Sequence, residues 1–106
     1  MNLRKVDLIF SGIPSEFTVI GNFPNPFNPS TTIRYGLSQE RQVKIIISDL
    51  LGKEVKSFLI SEKMPGYHSV VWNGKDNQDR SVSTGVYLYR IESEDFVQTK
   101  KMILLR

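Results

Sequence analysis

Few side chains in this chain of 106 residues are able to carry out covalent chemistry. There is no cysteine, and the one histidine is His68. A thiol nucleophile is therefore excluded, and a serine nucleophile would depend on this imidazole as its base. His68 lies inside a short β-type run between Tyr67 and Ser69, which favours a partly exposed strand residue over a catalytic base. We therefore expect no enzymatic activity and no cofactor.

A second group of side chains has the oxygen atoms that a metal ion needs. Asn73, Asp76, Asn77 and Asp79 follow one another closely, and calcium prefers oxygen donors of this kind. The segment lacks both the ligand spacing of a helix-loop-helix calcium site and its distal glutamate. The alternative is a turn in which these side chains accept hydrogen bonds from their own backbone. The sequence favours the turn, and calcium binding is kept as a hypothesis.

A tract of prolines and asparagines separates these residues from the beginning of the chain. Residues 22–32 read NFPNPFNPSTT. Each proline holds φ at about −65° and lacks an amide hydrogen, and each residue before a proline is pushed toward extended geometry. The tract therefore predicts a stiff, extended segment that leads into a strand, with Phe23 and Phe27 available to pin it to the domain.

Short β-type runs separated by turn residues fill the chain after the tract, and no stretch has the apolar period of a helix. Six runs are predicted at residues 31–37, 42–49, 54–61, 67–72, 85–92 and 96–105, with a seventh near residues 16–20. Leu8-Ile9-Phe10 is a further strand or the tail of a preceding domain. Strands at this spacing predict an all-β fold, either a two-sheet antiparallel sandwich or a small barrel.

Alternation along the runs predicts which side chains are buried. We expect two sets of side chains to face the core: Ile33, Tyr35 and Leu37 in one run, and Val43, Ile45 and Ile47 in the next. The inward side of residues 54–61 is ambiguous. Trp72 is expected to be a core or strand-end residue rather than a platform for a sugar. Gly85 opens a run, which indicates a conformation or a contact that a side chain would prevent.

Composition limits the classes of partner. Hydrophobic residues make up 40% and charged residues 24% of the chain, which is typical of one globular domain. The net charge is +3, but no aromatic platform with basic neighbours is evident, so nucleic-acid binding is not expected. No apolar stretch approaches the roughly 20 residues that span a bilayer. We assign residues 1–12 to the end of an upstream region or an artificial extension, and residues 13–106 to one β-sandwich domain.

Four separated motifs occur in an order that resembles the C-terminal sorting domain of type IX secretion substrates, the Por secretion family (type A). They are the tract at 22–32, SDLLGKEV at 48–55, GVYLYR at 85–90 and FVQTKKM at 96–102. The resemblance runs from about Ile13 to Arg106. It implies an immunoglobulin-like antiparallel β-sandwich of about seven strands.

This resemblance also implies an address rather than an enzyme. In that family, found in Bacteroidetes, the domain is covalently linked to an upstream cargo that passes through the periplasm to the cell surface or the medium. The outer-membrane secretion machinery recognises the domain, and a sortase-like protease removes it. Matched by motif, the implied recognition residues are Pro24, Asn25 and Pro26 in the tract, Gly85 and Tyr87 in the Gly-x-Tyr motif, and Lys100 and Lys101 near the end.

A second resemblance covers residues 72–90. This segment is similar to the immunoglobulin-like domain of the flagellar hook-capping protein, in which a Trp-Asp-Gly turn leads into a Gly-Val-Tyr strand. Here Asn73 replaces the usual aspartate, and Arg80 stands where glycine is common. The alternative function is therefore a structural or accessory immunoglobulin-like module, either like the hook cap or appended to a secreted glycosidase or protease.

Overall fold

Within residues 13–106, seven antiparallel strands form two sheets that pack face to face. The computed structural model describes residues 13–106, except for the side chains of residues 62 and 63. Residues 1–12, which include the run Leu8-Ile9-Phe10, lie outside this range. The strands are β1 (Thr18–Phe23), β2 (Thr31–Leu37), β3 (Arg41–Asp49), β4 (Glu54–Lys63), β5 (Gly66–Trp72), β6 (Gly85–Ser93) and β7 (Phe96–Leu104). The predicted immunoglobulin-like sandwich is confirmed, and a closed barrel is not formed because the strands divide into two sheets, β1-β2-β5 and β4-β3-β6-β7.

The core lies between the two sheets and contains the residues that alternation predicted. The inward-facing side chains of β2 and β3 are fully buried. Those of β6, which lies in the same sheet as β3, belong to the same buried cluster. Burial of each such large apolar side chain contributes about 1.5–3 kcal/mol. The buried set is Phe17, Val19, Phe27, Ile33, Tyr35, Leu37, Val43, Ile45, Ile47, Trp72, Tyr87, Tyr89, Ile91, Met102 and Leu104. The strict period of two along β2 and β3 is what makes these faces predictable.

The fourth strand, whose inward side the sequence left open, is an edge strand. Phe58 and Ile60 pack against the core, whereas Leu59 is 70% exposed on the outer face. The pairing of β3 with β4 shifts register between Ile47 and Ser48, and such a shift interrupts the alternation of faces. This irregularity explains why Val55 also packs against the core and why the strand did not show one apolar side.

The proline tract is bent, so the prediction of an extended segment is wrong. The first strand already includes Phe23, and the chain then bends at residues 24–26 and again at 28–29 before β2 begins. The peptide bonds before Pro24, Pro26 and Pro29 are cis. The bends follow from a contact that local rules do not include: Phe27 is 2% exposed in the core. Phe23 is 54% exposed and does not pin the tract.

Strand register places most of the motifs at one end of the sandwich. Thr31 pairs with Trp72 in the small sheet, and Asp49 pairs with Tyr87 in the large one. Gly85 at the start of β6 pairs with Leu104 at the end of β7. Residues 24–30, 50–53, 73–84 and 104–106 therefore lie together, and we call this set the motif end. Residues 13–17 lie at the opposite end, which we call the far end.

Candidate functional site

Three aromatic side chains join the loops of the motif end. The ring centroids of Phe27 and Trp72 are 5.6 Å apart, and those of Trp72 and Tyr87 are 5.5 Å apart in an edge-to-face arrangement. Trp72 Nε1 donates a hydrogen bond to the carbonyl of Lys75 at 2.8 Å, and the Tyr87 hydroxyl donates to the carbonyl of Ser83 at 2.6 Å. Trp72 is thus a core residue, as predicted, and the three rings connect the proline tract to loop 73–84.

Polar side chains close the proline tract on itself and on β7. Asn22 Nδ2 donates to Thr31 Oγ1 at 3.1 Å, and the Thr31 hydroxyl donates to the carbonyl of Pro24 at 2.8 Å. The amide of Ile103 donates to Asn25 Oδ1 at 3.0 Å. The backbone of Phe27 bonds to Ile103 and to Leu105, each at 2.9 Å. The tract is therefore held as a rigid cap over the end of β7.

The predicted recognition residues of the tract remain accessible within this cap. Pro24, Asn25 and Pro26 are all exposed. Asn25 nevertheless has a structural role as an acceptor for β7, which its place in the motif did not reveal. The tract therefore presents a fixed, exposed Pro-Asn-Pro surface next to the end of the last strand.

Loop 73–84 is a turn capped by its own side chains. Asp76 Oδ1 accepts the amides of Gln78 at 2.9 Å and Arg80 at 2.8 Å, and Asp76 Oδ2 pairs with Arg80 Nε at 3.0 Å. The hydrogen bond from the Arg80 amide is the main reason that the pKa of the Asp76 carboxyl is lowered. Asp79 has a φ of 64°, the left-handed geometry that aspartate tolerates in turns.

The two asparagines of the calcium hypothesis are also engaged. Asn73 Oδ1 accepts the amide of Lys75 at 3.2 Å. Asn77 Oδ1 accepts the amide of Ser57 at 3.1 Å, and its Nδ2 donates to Glu54 Oε2 at 3.0 Å. Within residues 13–106, the described side chains contain no cluster of three His, Cys, Asp or Glu residues that could hold a metal ion. The geometry is that of a capped turn, and calcium binding stays a hypothesis for experiment.

Arg106 is a structural residue of the motif end that the sequence did not single out. Its Nε donates to the carbonyl of Val82 at 2.6 Å and its Nη2 to the carbonyl of Gly74 at 2.7 Å. Its amide donates to Thr84 Oγ1 at 2.9 Å. Gly74 has a φ of 74°, and a Cβ there would lie 3.0 Å from the carbonyl oxygen of Pro29. The guanidinium thus fastens loop 73–84 to the end of β7.

The two named residues of the Gly-x-Tyr motif have different surroundings. A Cβ added at Gly85 would meet its nearest neighbours at 3.9 and 4.0 Å, which is ordinary contact. The expectation that Gly85 makes a contact that a side chain would prevent is therefore wrong, because a Cβ fits there without a clash. Tyr87, by contrast, is buried and packs on Trp72. Its ring therefore helps to hold the loops of the motif end in place.

Lys100 and Lys101 do not join the other motif residues. Lys100 pairs with Tyr89 and Lys101 pairs with Leu88, so both lie in the middle of β7. Successive strand residues point to opposite faces, and Lys100 is accordingly on the core side of the sheet while Lys101 is on its outer face. The basic motif is therefore two separate charges rather than one patch.

The β3–β4 turn adds two apolar side chains to the motif end. Asp49 Oδ1 accepts the amides of Leu51 and Lys53, both at 2.9 Å, and Gly52 has a φ of 89°. This rigid turn leaves Leu50 exposed and Leu51 95% exposed. The only signal in the sequence was a pair of leucines in a turn. An open cleft of about 770 Å³ lies between this turn and loop 73–84, and Tyr87 lines it.

The one histidine lies away from the motif end. His68 Nε2 donates to the carbonyl of Met64 at 2.7 Å, and its ring lies 5.8 Å from the ring of Tyr35. These contacts fix the β4–β5 connection at the far end. No helix among residues 13–106 is long and apolar enough to cross a membrane.

Comparison with known proteins places these features in a family. The family model of the FlgD Ig-like domain matches residues 28–95. The chain is 26% identical to PorU from Porphyromonas gingivalis, with a TM-score of 0.69 over 84% of this chain and 9% of PorU. It is 19% identical to PorZ, an essential surface component of the type IX secretion system of that organism, with a TM-score of 0.58 over 93% of this chain and 12% of PorZ.

FlgD from Xanthomonas campestris, whose structure relates to the hook capping essential for flagellar assembly, is 21% identical with a TM-score of 0.57. That match covers 86% of this chain and 63% of FlgD. A search of curated protein sequences finds no match. The chain therefore spans only a small part of PorU and PorZ and less than two thirds of this FlgD. Because the family model covers more than half of the chain and the fold agrees with it, the chain belongs to the FlgD Ig-like domain family.

Proposed function

We propose that this domain is a non-catalytic sorting module that targets a covalently linked upstream protein to the outer-membrane machinery of type IX secretion. The observation that carries the proposal is the clustering of the proline tract, the SDLLGKEV turn and the Gly-x-Tyr strand at the motif end. The likeness to PorU, at 26% identity, and to PorZ, a surface component of that system, supports the same assignment.

The direction of the chain supports this use of the motif end. Residues 13–17 lead into β1 at the far end, so an upstream cargo joins the sandwich on the side opposite the motifs. A cargo attached there leaves the exposed Pro24-Asn25-Pro26 surface and Leu51 open to a partner. The exported protein then passes through the periplasm to the cell surface or the medium, and a sortase-like protease separates it from the domain.

The motif residues have different roles in this proposal. Pro24, Asn25 and Pro26 supply direct contacts because they are exposed on a rigid cap. Tyr87 positions loop 73–84 through its packing on Trp72 and its bond to Ser83. Lys101 contributes from the outer face of the sheet, away from the other motifs. Lys100 and Gly85 make no contact in the structure that gives them a role in recognition.

A structural role like that of the hook cap is the second candidate. It is favoured by the match of residues 28–95 to the FlgD Ig-like domain and by the likeness to the Xanthomonas FlgD. In that case the domain is an accessory module of a larger assembly, and export does not depend on it.

A fusion experiment separates the two candidates. The whole chain is attached to the C-terminus of a periplasmic reporter in a strain with type IX secretion, and reporter activity is measured at the cell surface and in the medium. We expect export in this strain and none in an isogenic strain without the translocation machinery. A reporter that stays in the periplasm, on a domain shown by circular dichroism to be folded, contradicts the sorting function.

Surface variants locate the recognised residues. Replacement of Pro24-Asn25-Pro26 by alanines would disturb the cap, so the sharper change is Leu51→Glu, which alters a side chain that is 95% exposed. We expect Leu51→Glu to reduce export while the melting temperature stays unchanged. Arg34→Gln, on the outer face of the small sheet, lowers the net charge by one as Leu51→Glu does; it is the matched control and is expected to be exported normally.

A further inference from the structure

The outer face of the four-stranded sheet carries a diagonal apolar stripe. Its members are Leu59 on β4, Ile46 on β3, Leu88 on β6 and Ile103 on β7, one from each strand in the order of the sheet. The register places Ile46 opposite Ser57 and Arg90, so Leu59 and Leu88 are each displaced by two residues, in opposite directions along the strands. Ile103 is displaced by two residues from the position opposite Leu88. This displacement has the same direction as the displacement of Leu88 from Ile46.

A basic stripe runs parallel to the apolar one. Lys44 on β3, Arg90 on β6 and Lys101 on β7 are related by the same two-residue displacement from strand to strand. Strands about 4.8 Å apart and a rise of about 6.8 Å for two residues put neighbours along each stripe about 8 Å apart. The three cations therefore form an evenly spaced row directly beside the row of apolar side chains.

Both stripes are available to a partner. Leu59 is 70% exposed, and the three basic side chains are exposed. Arg90 Nε pairs with Glu92 Oε2 at 2.6 Å. Among the side chains that the structure describes, Lys44 and Lys101 have no carboxylate partner. The face thus combines positive charge, offset in part by Glu92 opposite Lys44, with partly exposed apolar surface.

We propose that this face is a docking surface for an acidic amphipathic segment of a partner protein. The apolar side chains of the segment lie on the stripe from Leu59 to Ile103, and its carboxylates lie over Lys44 and Lys101. Charge complementarity selects this occupant, because a second copy of the chain would oppose like charges across the interface. Lys101 is also one of the recognition residues that the resemblance implies, but the other residues of this surface lie outside the motif end, so the inference does not depend on the sorting function.

An anionic membrane is a poorer fit to the same face. Ile46, Leu88 and Ile103 are half-buried, which leaves Leu59 as the one largely exposed member of the stripe to enter an acyl layer. Glu92 lies on the same face, directly opposite Lys44 on one side and Val97 on the other, and its carboxylate repels an anionic surface. A protein segment, by contrast, can place a hydrogen-bond donor opposite Glu92 and carboxylates on either side of it.

The probe for this surface is a set of synthetic amphipathic peptides measured against the full chain. The first peptide presents a row of Leu side chains beside a row of Glu side chains, to match the two stripes. The second peptide has Lys in place of Glu, and the third has Ser in place of Leu. We expect the Glu and Leu peptide alone to bind, with an affinity that falls as salt is raised. Equal binding of all three peptides, or no binding of the first, overturns the proposal.

Matched variants test where the peptide binds. The double change Lys44→Gln and Lys101→Gln is compared with Arg34→Gln and Lys53→Gln, which lowers the net charge equally at exposed sites off this face. We expect the first pair to weaken binding about tenfold, which is 1.4 kcal/mol, and the second pair to leave it unchanged. Leu59→Ser is expected to weaken binding without altering the circular dichroism spectrum.

Two further outcomes, measured with these variants, would also overturn the proposal. If both charge pairs weaken binding equally, only net charge is being measured. If vesicles of phosphatidylglycerol bind the chain and the Lys44 and Lys101 changes abolish that binding while leaving peptide binding intact, the face is a membrane surface.

Discussion

Phe27 is the side chain through which the proline tract is tied to the core. It is 2% exposed and packs against Trp72, whereas Phe23, four residues earlier in the same tract, is 54% exposed. We expect Phe27→Ala to lower the free energy of unfolding by about 3–5 kcal/mol, because it removes a large buried ring and leaves a cavity.

The matched change Phe23→Ala should alter that free energy by no more than about 0.5 kcal/mol. Urea unfolding followed by tryptophan fluorescence measures both variants. Equal losses in the two variants would contradict the assignment of Phe27 as the anchor.

Tyr89 makes the free energy of unfolding of the domain decrease at alkaline pH. Burial raises the pKa of its phenol from 10.0 to about 12, because the phenolate would lose its hydration. The neutral phenol favours the folded state, so its contribution is complete below pH 10 and is lost as the pH rises toward 12. We expect Tyr89→Phe to reduce the fall in unfolding free energy across this interval.

The measurement is urea unfolding at a series of pH values, with Tyr67→Phe as the exposed control. Burial also raises the pKa of Tyr35, so part of the alkaline loss should persist in the Tyr89 variant. A Tyr89 variant as sensitive to alkali as the parent would refute the explanation.

At the scale of single elements, loop 73–84 is expected to hold its shape without a metal ion. Asp76 caps two amides and pairs with Arg80, so Asp76→Ala should lower the melting temperature. The lowered pKa of Asp76 means that its contribution is present above pH 3.8 and is lost as the pH falls through the folded value. The difference between variant and parent should therefore shrink in acid.

Chelation tests the competing calcium hypothesis for the same loop. We expect EDTA to leave the melting temperature of the parent unchanged, as measured by differential scanning fluorimetry. A clear decrease with EDTA, restored by calcium and absent in Asp76→Ala, would establish a calcium site instead.

Two strand glycines should respond differently to the same substitution. A Cβ at Gly36 on β2 would lie 2.7 Å from Pro14 Cγ and 3.1 Å from Tyr67 Cε1, whereas a Cβ at Gly85 meets only ordinary contacts. We expect Gly36→Ala to cost about 1–3 kcal/mol of unfolding free energy through overpacking. Gly85→Ala should change it by no more than about 0.5 kcal/mol. Thermal unfolding of the two variants checks this. If Gly85→Ala lowered stability as much as Gly36→Ala, Gly85 would be under a constraint that its ordinary contacts do not explain.

Structure that follows from local alternation was predictable from the sequence. The buried faces of β2 and β3 were predictable because Ile33, Tyr35 and Leu37, like Val43, Ile45 and Ile47, repeat every second residue. The path of the proline tract was not predictable, because local rules favour an extended chain while the burial of Phe27 and the bond between Asn22 and Thr31 depend on distant contacts. The same limit applies to Arg106, whose bonds to Val82 and Gly74 join residues far apart in the chain.

At the scale of the whole molecule, register rather than composition arranges the candidate sites. The tract, the β3–β4 turn and loop 73–84 meet because antiparallel pairing returns alternate connections to the same end of the sandwich. Lys100 and Lys101 stay apart because their strand places them opposite Tyr89 and Leu88. The diagonal stripes on the outer sheet arise in the same way, since register sets which outward side chains of neighbouring strands lie side by side. Pairings of this kind are not visible in the linear sequence.

The separation of residues 13–17 from the motif end has a consequence for inheritance under the proposed sorting function. Pro14 lies close to Gly36 at the far end, so the described chain enters the sandwich away from every loop of the motif end. If an upstream protein is attached there, as proposed, its replacement by recombination leaves those loops unaltered. Selection on the attached protein and selection on the motif loops would then act on separate surfaces, with Gly36 and Pro14 as the junction between them.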